Sequence, residues 1–547
     1  DDLRVQIGQL SLFDGPMRAH LSGEVRIDGS GVSTRLDAHV PQIEAGALMA
    51  YWPETLAPGT RRYLSERLTS GQLSDIAWAL RRGPAHEDAV AVRFDFQDMT
   101  LAALPDMPPI TQGAGYLSVL DRRLAVHLTE GQLRPPDGGV IDLSGTTMRI
   151  EEMRREGALA EFDLALSGAL PDFGTVLARP PVNLLANSDR APSTLARGWA
   201  EVDVDLDLTL RRQMTQEDVA FRASGRFLEV ASDTLIEGRV LTADRLSFDL
   251  TPEVLSLAGA GALDGVPFTG RWSRVLGPEA DGASRAEARV TLTNAHLETL
   301  GVRLPPGFVS GTGAADLTLE LDPDAPPRLQ LRSDLAGLGL ALPSLGWRHG
   351  QNATGSLEAE LRLGDAPSVD RLSLQAAGRD LEGAVRLDQD GGFERLAFER
   401  FRLDGWLDLQ GALVGRGAGQ PPLIEITGGR IDMTQRPRLA GAGTAGSGPG
   451  PNSPPIRARL ERVALADDVA ITGFQADLSQ GMSGSFSGRV HGITDLQGVV
   501  LRDSNGLGLN LTTGDAGAAL RASGRFANGY GGALALRLRA AAEPGSY

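Results

Sequence analysis

Alternation of apolar and polar residues is the feature of this chain that most constrains its fold. The run at 201–210 reads EVDVDLDLTL and alternates without a break. Successive side chains of a β-strand point to opposite faces, so such a run has one apolar and one polar face. A parallel sheet covered on both faces would show continuous apolar runs instead. The pattern therefore predicts a mainly β protein built as an antiparallel meander.

The same alternation recurs along the chain and defines a candidate apolar face. Each run places leucine or valine at every second position, with charged or small polar residues between them. We predict that these side chains share one face of the sheet: Val202, Val204, Leu206, Leu208, Leu210, Leu317, Leu319, Leu321, Leu357, Leu361, Leu363, Leu507, Leu509, Leu511, Leu534, Leu536 and Leu538.

Composition narrows the architecture. Aromatic residues make up only 5% of the chain, and thick cores draw much of their buried area from aromatics. Glycine (68) and proline (32) are numerous and lie mostly between apolar runs, as is typical of many short strands. These features favour an elongated antiparallel sheet curled into an open groove, with a few short helices. Alternation alone is equally compatible with closed β-sandwiches or barrels.

Charge and cysteine content exclude several classes of function. The net charge is -17 and no basic patch stands out, which argues against a nucleic-acid partner. The acidic balance also disfavours purely electrostatic docking on anionic lipid. The absence of cysteine excludes disulfides, thiol catalysis and zinc–thiolate sites.

No catalytic motif is found. Gly441, Gly443 and Gly446 match a dinucleotide-binding fingerprint, but the prolines that follow prevent the helix that would hold a phosphate. The seven histidines form no HExxH motif, and neither a nucleophile elbow nor a Walker loop occurs. A glycosidase would need two convergent carboxylates in a cleft lined with aromatics. We expect no catalytic residue, no metal ligand and no cofactor, and hence no enzyme.

The chain divides at one clear linker. Residues 440–455 read AGAGTAGSGPGPNSPP and cannot build a core. We predict a β-groove body at 1–439, interrupted by helices near 46–68, 171–185 and 295–300, and a continuation of the groove at 456–547. No apolar run is long enough for a membrane span, and the first residues are not those of a signal peptide. We expect any signal or anchor segment to lie outside this chain.

Four segments carry a resemblance to a known family. The first surrounds the predicted helices at 46–68, and the others follow in the family's order. In sequence they read Tyr51-Trp52-Pro53-x-x-Leu56-Ala57-Pro58-x-x-Arg61-Arg62-Tyr63-Leu64-x-x-x-Leu68-x-x-Gly71, Leu170-Pro171-Asp172 with Arg179-Pro180-Pro181, Ser333-Asp334-Leu335-Ala336-Gly337-Leu338, and Asp515-Ala516-Gly517-Ala518-Ala519-Leu520-Arg521. The chain thereby resembles AsmA-like bacterial envelope proteins of the YhdP type, which are related to TamB. Tyr63 departs from the pattern, since a tryptophan is expected there.

The resemblance implies a fold and a role. Such proteins are similar to a half-pipe of β-strands, anchored in the inner membrane by a segment absent from this chain, and they cross the periplasm. The resemblance implies that the candidate apolar face is a groove for phospholipid acyl chains, and that the protein bridges the inner and outer membranes in outer-membrane biogenesis. A β-rich envelope scaffold or outer-membrane assembly factor without lipid cargo, and a carbohydrate-binding β protein, remain alternatives.

Overall fold

The structure is a computed structural model. It describes residues 3–15, 17–52, 54, 58–84, 86–104, 106–136, 138–153, 157–180, 191–211, 218–277, 280, 282–300, 307–342, 347–364, 367–376, 379–387, 393–417, 420–436, 453–467, 469–503, 506–522 and 528–540. The chain divides into two compact units, Asp1–Ala280 and Asp281–Tyr547. Each is described by itself below, as the N-terminal unit and the C-terminal unit.

The N-terminal unit consists mainly of strands of 10 to 16 residues. In chain order its elements are β1 (Leu3–Asp14), β2 (Met17–Asp28), β3 (Gly31–Glu44), α1 (Ala45–Tyr51), α2 (Pro58–Arg67), β4 (Leu68–Gly83), β5 (His86–Leu101), β6 (Ile110–Leu120), β7 (Arg123–Leu133), β8 (Ile141–Asp142), β9 (Thr147–Ile150), β10 (Ala158–Ala169), α3 (Leu170–Leu177), a 3-10 helix (Pro192–Thr194), β11 (Arg197–Leu210), β12 (Val219–Ser232), β13 (Leu241–Leu250), β14 (Val254–Leu263) and β15 (Val266–Val275).

Pairing in the N-terminal unit is that of an antiparallel meander. Consecutive strands pair from β1 to β7 and from β10 to β15. The short strands β8 and β9 together fill the row between β7 and β10. Among the described residues β1 pairs with β2 alone, so the sheet of this unit stays open at that edge.

The C-terminal unit repeats this construction and adds a second, small sheet. Its elements are β16 (Ser284–Leu292), α4 (Asn294–Thr299), β17 (Val309–Gly311), β18 (Gly313–Asp322), β19 (Ala325–Ser333), β20 (Leu338–Leu342), β21 (Trp347–His349), β22 (Ser356–Arg362), β23 (Ser368–Ala376), β24 (Arg379–Leu387), β25 (Phe393–Leu403), β26 (Leu407–Val414), β27 (Leu423–Asp432), β28 (Ile456–Ala466), β29 (Val469–Leu478), β30 (Gly484–Val490), β31 (Thr494–Asp503), β32 (Gly506–Thr513), α5 (Ala516–Ala522) and β33 (Leu534–Ala540).

One strand pair in the C-terminal unit departs from the meander. β27 and β28 run parallel, with Ile424 opposite Ile456, and every other pair described in the main sheet of this unit is antiparallel. A parallel neighbour requires the chain to return to the starting end of the strand. The connection that does so contains the predicted linker.

Within each unit, the described helices lie at one end of the strands. In the N-terminal unit, α1 and α2 join β3 to β4, while α3 and the 3-10 helix join β10 to β11. Each antiparallel pair reverses the strand direction, and counting these reversals shows that β3 and β10 run in the same direction. Both junctions therefore lie at the same end of the sheet. The same count for the C-terminal unit puts α4, α5 and the small sheet, which consists of β17, β20 and β21, at one end. We call this the helical end of the unit, and the opposite one its turn end.

The largest buried clusters of each unit include residues at its helical end. Ala45 of α1 joins a cluster with Ile43, Leu73 and Phe96, while Phe173 of α3 packs with Ile141 and Ala200. In the C-terminal unit the small sheet packs on the strands, since Val309, Leu338 and Leu340 share a cluster with Leu403, Trp406 and Leu407. The short helices and the small sheet thus cover one end of each apolar face.

The mainly β fold with a few short helices is confirmed. The segment predicted near 46–68 overlaps α1 and contains α2, that near 171–185 overlaps α3, and that near 295–300 overlaps α4. Residues 440–452 of the linker and residues 181–185 of the second predicted helical segment lie outside the described residues. The sequence reading missed α5, the small sheet and the parallel pair.

Candidate lipid-binding face

Strand register makes the apolar face of the N-terminal unit continuous from strand to strand. Leu206 of β11 lies opposite Phe162 of β10 and Phe221 of β12. Two positions along, Val204 lies opposite Leu164 and Ala223. Because directly opposite residues project from the same face of a sheet, each apolar row continues across neighbouring strands.

The predicted residues of β11 have the burial that alternation requires. Four of them, Val202, Val204, Leu206 and Leu208, are half-buried, and the acids between them are exposed. Leu210, the last residue of the strand, is 38% exposed. The strand therefore has one apolar and one solvated face.

In the C-terminal unit the register brings separately predicted runs together. Leu319 of β18 lies opposite Leu329 of β19, and Leu329 lies opposite Leu361 of β22. Leu317 likewise connects through Leu331 to β22. Leu321, Leu357 and Leu361 are half-buried on the same face, whereas Leu363 follows the end of β22 and bonds through its N–H to the Pro327 carbonyl.

The last predicted runs pair directly with each other. Leu509 lies opposite Leu538 and Leu511 lies opposite Leu536. The members on β32, Leu507, Leu509 and Leu511, are half-buried, while Leu534, Leu536 and Leu538 are 40–49% exposed. The difference arises because β33 has a partner strand on one side only among the described residues.

The opposite face carries a ladder of ion pairs between neighbouring strands. Arg222 lies 2.8 Å from Asp249, and Arg285 lies 3.1 Å from Glu320. Each of these side chains is more than 40% exposed, so each pair stabilises the sheet by at most about 1 kcal/mol. Their main consequence is that one face of the sheet is firmly hydrophilic.

Local hydrogen bonds strengthen this polarity. Ser368 and Arg362 both donate to the carboxylate of Asp370, at 2.7 and 2.6 Å, and together they lower the pKa of that carboxyl. Arg4 donates to Glu24 at 2.7 Å and lowers the pKa of Glu24 in the same way. Such carboxylates stay charged well into acidic solution, so the polar face keeps its charge.

Burial along the apolar face is uneven, because buried clusters also lie at the turn ends: Ile150, Ala158 and Ala160 in the N-terminal unit, and Ala458, Ala476 and Leu478 in the C-terminal unit. At the helical end the side chains belong to the buried clusters described above. Towards the turn end of the C-terminal unit, Leu321, Val385, Leu413 and Val500 are only half-buried. A row of half-buried aliphatic side chains is the surface that an apolar chain can cover with a gain in free energy.

Arg502 is a cation on this face that the sequence alone did not assign to it. Arg502 of β31 lies opposite Leu507 of β32 and is half-buried. Its position two residues after Val500 was a usable signal. The run Val499-Val500-Leu501 hides the alternation there, so the register was needed to assign its face.

Other kinds of site find no support in the part of the chain that the structure describes. No group of three or more histidine, aspartate or glutamate side chains there could hold a metal ion. None of the described helices has both the length and the apolar character of a membrane span. The expectation of a non-enzymatic protein stays a prediction.

Comparison with known protein families identifies a match over most of the chain. The model of a family described as "YhdP protein" matches residues 1–416. This range contains the whole N-terminal unit and ends just beyond β26. Neither curated proteins nor solved structures yielded a match.

Proposed function

The chain belongs to the YhdP family, and from this premise we propose that it is a non-enzymatic lipid-transfer protein of the bacterial periplasm. In this proposal the apolar face binds phospholipid acyl chains, and phospholipid moves along it between the inner and outer membranes. The partners are the lipids and the two membranes, and no cofactor takes part.

The continuity of the apolar face is the observation that carries the proposal. In each unit an apolar residue of one strand lies opposite an apolar residue of the next, as in Phe162–Leu206–Phe221 and Leu319–Leu329–Leu361. A scaffold without cargo needs an apolar face only where something covers it. Half-buried aliphatic residues such as Leu321, Val385 and Leu413 suit a cargo that binds reversibly.

The free energies agree with such a cargo. Exposing an acyl chain to water costs about 0.8 kcal/mol per methylene, or about 12 kcal/mol for a chain of about 16 carbons. A sheet with one apolar face removes much of this cost, while the headgroup stays in water. No chemical step is needed, because the cargo leaves unchanged.

Site-specific photo-crosslinking tests the proposal. A benzophenone amino acid replaces Leu206 or Leu319 on the apolar face, and matched variants carry it at Asp205 or Glu320 on the polar face of the same strands. After irradiation in cells, we expect phospholipid adducts at the two leucine positions and few at the two acidic positions. The readout is mass spectrometry of the cross-linked protein.

The alternatives make different predictions in the same experiment. Equal labelling at all four positions would contradict the assignment of faces. Protein adducts without lipid at Leu206 and Leu319 would favour a scaffold or assembly factor. Polysaccharide retained by the purified chain, with no lipid, would favour a carbohydrate-binding protein.

A further inference from the structure

Arg502 lies on the apolar face near the turn end of the C-terminal unit. Along β31 the residues Leu496, Gly498, Val500 and Arg502 are buried or half-buried, and the residues between them are exposed. Register agrees with this alternation, because Val500 lies opposite Leu509 and Arg502 lies opposite Leu507. Arg502 thus continues a row of aliphatic side chains.

The Arg502 guanidinium is incompletely satisfied. Its Nε is buried and has no hydrogen-bond partner among the described residues. No ion pair joins Arg502 to a described carboxylate, whereas Arg489 of the neighbouring strand lies 3.3 Å from Asp495 on the polar face. Burying part of a charged group without a partner costs free energy. An anion paired with this half-buried guanidinium would offset the cost of burying its charge.

We infer that Arg502 binds the phosphate of a phospholipid whose acyl chains lie on the adjacent apolar face. This inference rests on the proposed function and specifies a headgroup contact for it. A guanidinium presents two parallel N–H groups to a phosphate, and the methylenes of its side chain can lie along apolar surface. Leu507 and Leu509 then contact the acyl chain beside it.

The surroundings select an amphiphile over a free ion. Val500, Leu507 and Leu509 are aliphatic neighbours in the register of this face, and a hydrated inorganic phosphate gains nothing from them. A phospholipid uses both features, because its phosphate pairs with Arg502 while its tail covers the leucines. Turn-end placement allows the rest of the headgroup to remain in water.

Binding by the full chain tests this inference. The variant is Arg502→Gln. The control is Arg537→Gln, which removes the same charge from an exposed position on the polar face of β33. The probes are phosphatidylglycerol and diacylglycerol with identical acyl chains and the same fluorophore on one chain. We expect Arg502→Gln to weaken phosphatidylglycerol binding roughly tenfold, with diacylglycerol binding unchanged. The control should bind both as the wild type does.

Further readouts separate a headgroup contact from a structural role. Without lipid, Arg502→Gln should be at least as stable to urea as the wild type, since it removes an unsatisfied group. Arg502→Lys should bind phosphatidylglycerol with intermediate affinity, because it keeps the charge without the paired N–H groups. Inorganic phosphate should not compete.

Several outcomes would overturn the inference. They are equal loss of both probes in Arg502→Gln, no loss of either, or efficient competition by inorganic phosphate. If the wild type binds neither probe, the proposed function itself fails. If the wild type binds both equally and Arg502→Gln changes nothing, lipid binding stands and only the headgroup contact is wrong.

Discussion

At the residue scale, glycines inside the strands are matched to phenylalanines of neighbouring strands. A side chain added at Gly498 would place Cβ 2.1 Å from the ring of Phe486 across the strand pair. At Gly225 the corresponding distance to the ring of Phe248 is 3.0 Å. The glycine therefore leaves space that the facing ring fills. Glycines such as Gly498 and Gly225 therefore have a packing role inside the strands.

Gly498→Ala tests this arrangement. The added methyl collides with the Phe486 ring, which must leave its position or push the strands apart. We expect a loss of about 1–3 kcal/mol in the free energy of unfolding, typical of overpacking, measured by urea denaturation.

Gly508→Ala on the adjacent strand is the matched control. Its Cβ would meet only the Leu501 carbonyl at 3.5 Å, an ordinary contact. It should change the free energy of unfolding by less than about 1 kcal/mol. Equal effects of the two substitutions would show that the Phe–Gly contact is unimportant.

At the element scale, the parallel pair decides where later elements lie. Each antiparallel step reverses the strand direction, and the β27–β28 step does not. Without that step β32 would run the other way, and α5 would follow it at the turn end. The single parallel pair therefore keeps α5 at the helical end with α4 and the small sheet. The turn end is left to short connections.

Asp264 fastens a loop of the N-terminal unit to the turn between β14 and β15. Its carboxylate accepts 2.8 Å hydrogen bonds from the Val240 N–H and the Arg239 guanidinium. The Val240 N–H, and then Arg239, hold the pKa of Asp264 below its ordinary value. A carboxyl whose pKa is lowered in the folded state stabilises the protein above its unfolded pKa, and this contribution disappears as pH falls through the folded pKa.

Asp264→Asn should therefore destabilise the protein in a pH-dependent manner. Asparagine can still accept from the Val240 N–H but cannot pair with Arg239 as an anion. We expect a lower urea midpoint than the wild type at about pH 7 and a smaller difference near about pH 3, below the usual carboxyl pKa, because the difference disappears only as pH falls through the lowered folded pKa of Asp264. Asp203→Asn, at an exposed strand position, should show little difference at either pH. A constant deficit for Asp264→Asn would contradict the role of its charge.

At the scale of the whole molecule, the segment rich in glycine and proline has a length requirement. The Met433 N–H bonds to the Ala464 carbonyl, and the Ile424 N–H bonds to the Pro455 carbonyl. These bonds fix the two ends of the connection about nine residues apart along the strands, or about 30 Å. The connection between them must cover this distance for the parallel pair to form.

Deleting residues 437–452 should break the parallel pair. About six peptide steps would remain between the fixed ends, and they reach only about 20 Å when fully extended. We expect loss of a cooperative unfolding transition for the strands from β28 onward, monitored by hydrogen exchange. Replacing 437–452 by an equally long glycine–serine segment should preserve it, since the requirement is length. Normal protection in the deletion would refute the requirement.

How much of the fold and of the candidate site the sequence predicts differs between the residue, the element and the whole molecule. Alternation placed Val202–Leu210, Leu317–Leu321 and Leu507–Leu511 in strands, since period two is a local property of the chain. The short helices near Pro53, Pro171 and Ala295 were also predicted, because the residues that indicate a helix are likewise local in the chain. That the apolar face binds lipid stays a prediction, supported by family membership.

The sequence by itself determined the strands, their two-faced character and the family, because these depend on local periodicity and ordered motifs. Tertiary structure alone decided which strands pair and in what register. It therefore decided that Leu319, Leu329 and Leu361 form one row and that Arg502 lies on the apolar face. It also decided the parallel step and the covering of the helical ends. The physical reason is that register and strand direction depend on connections and packing between distant segments, which a periodic pattern does not encode.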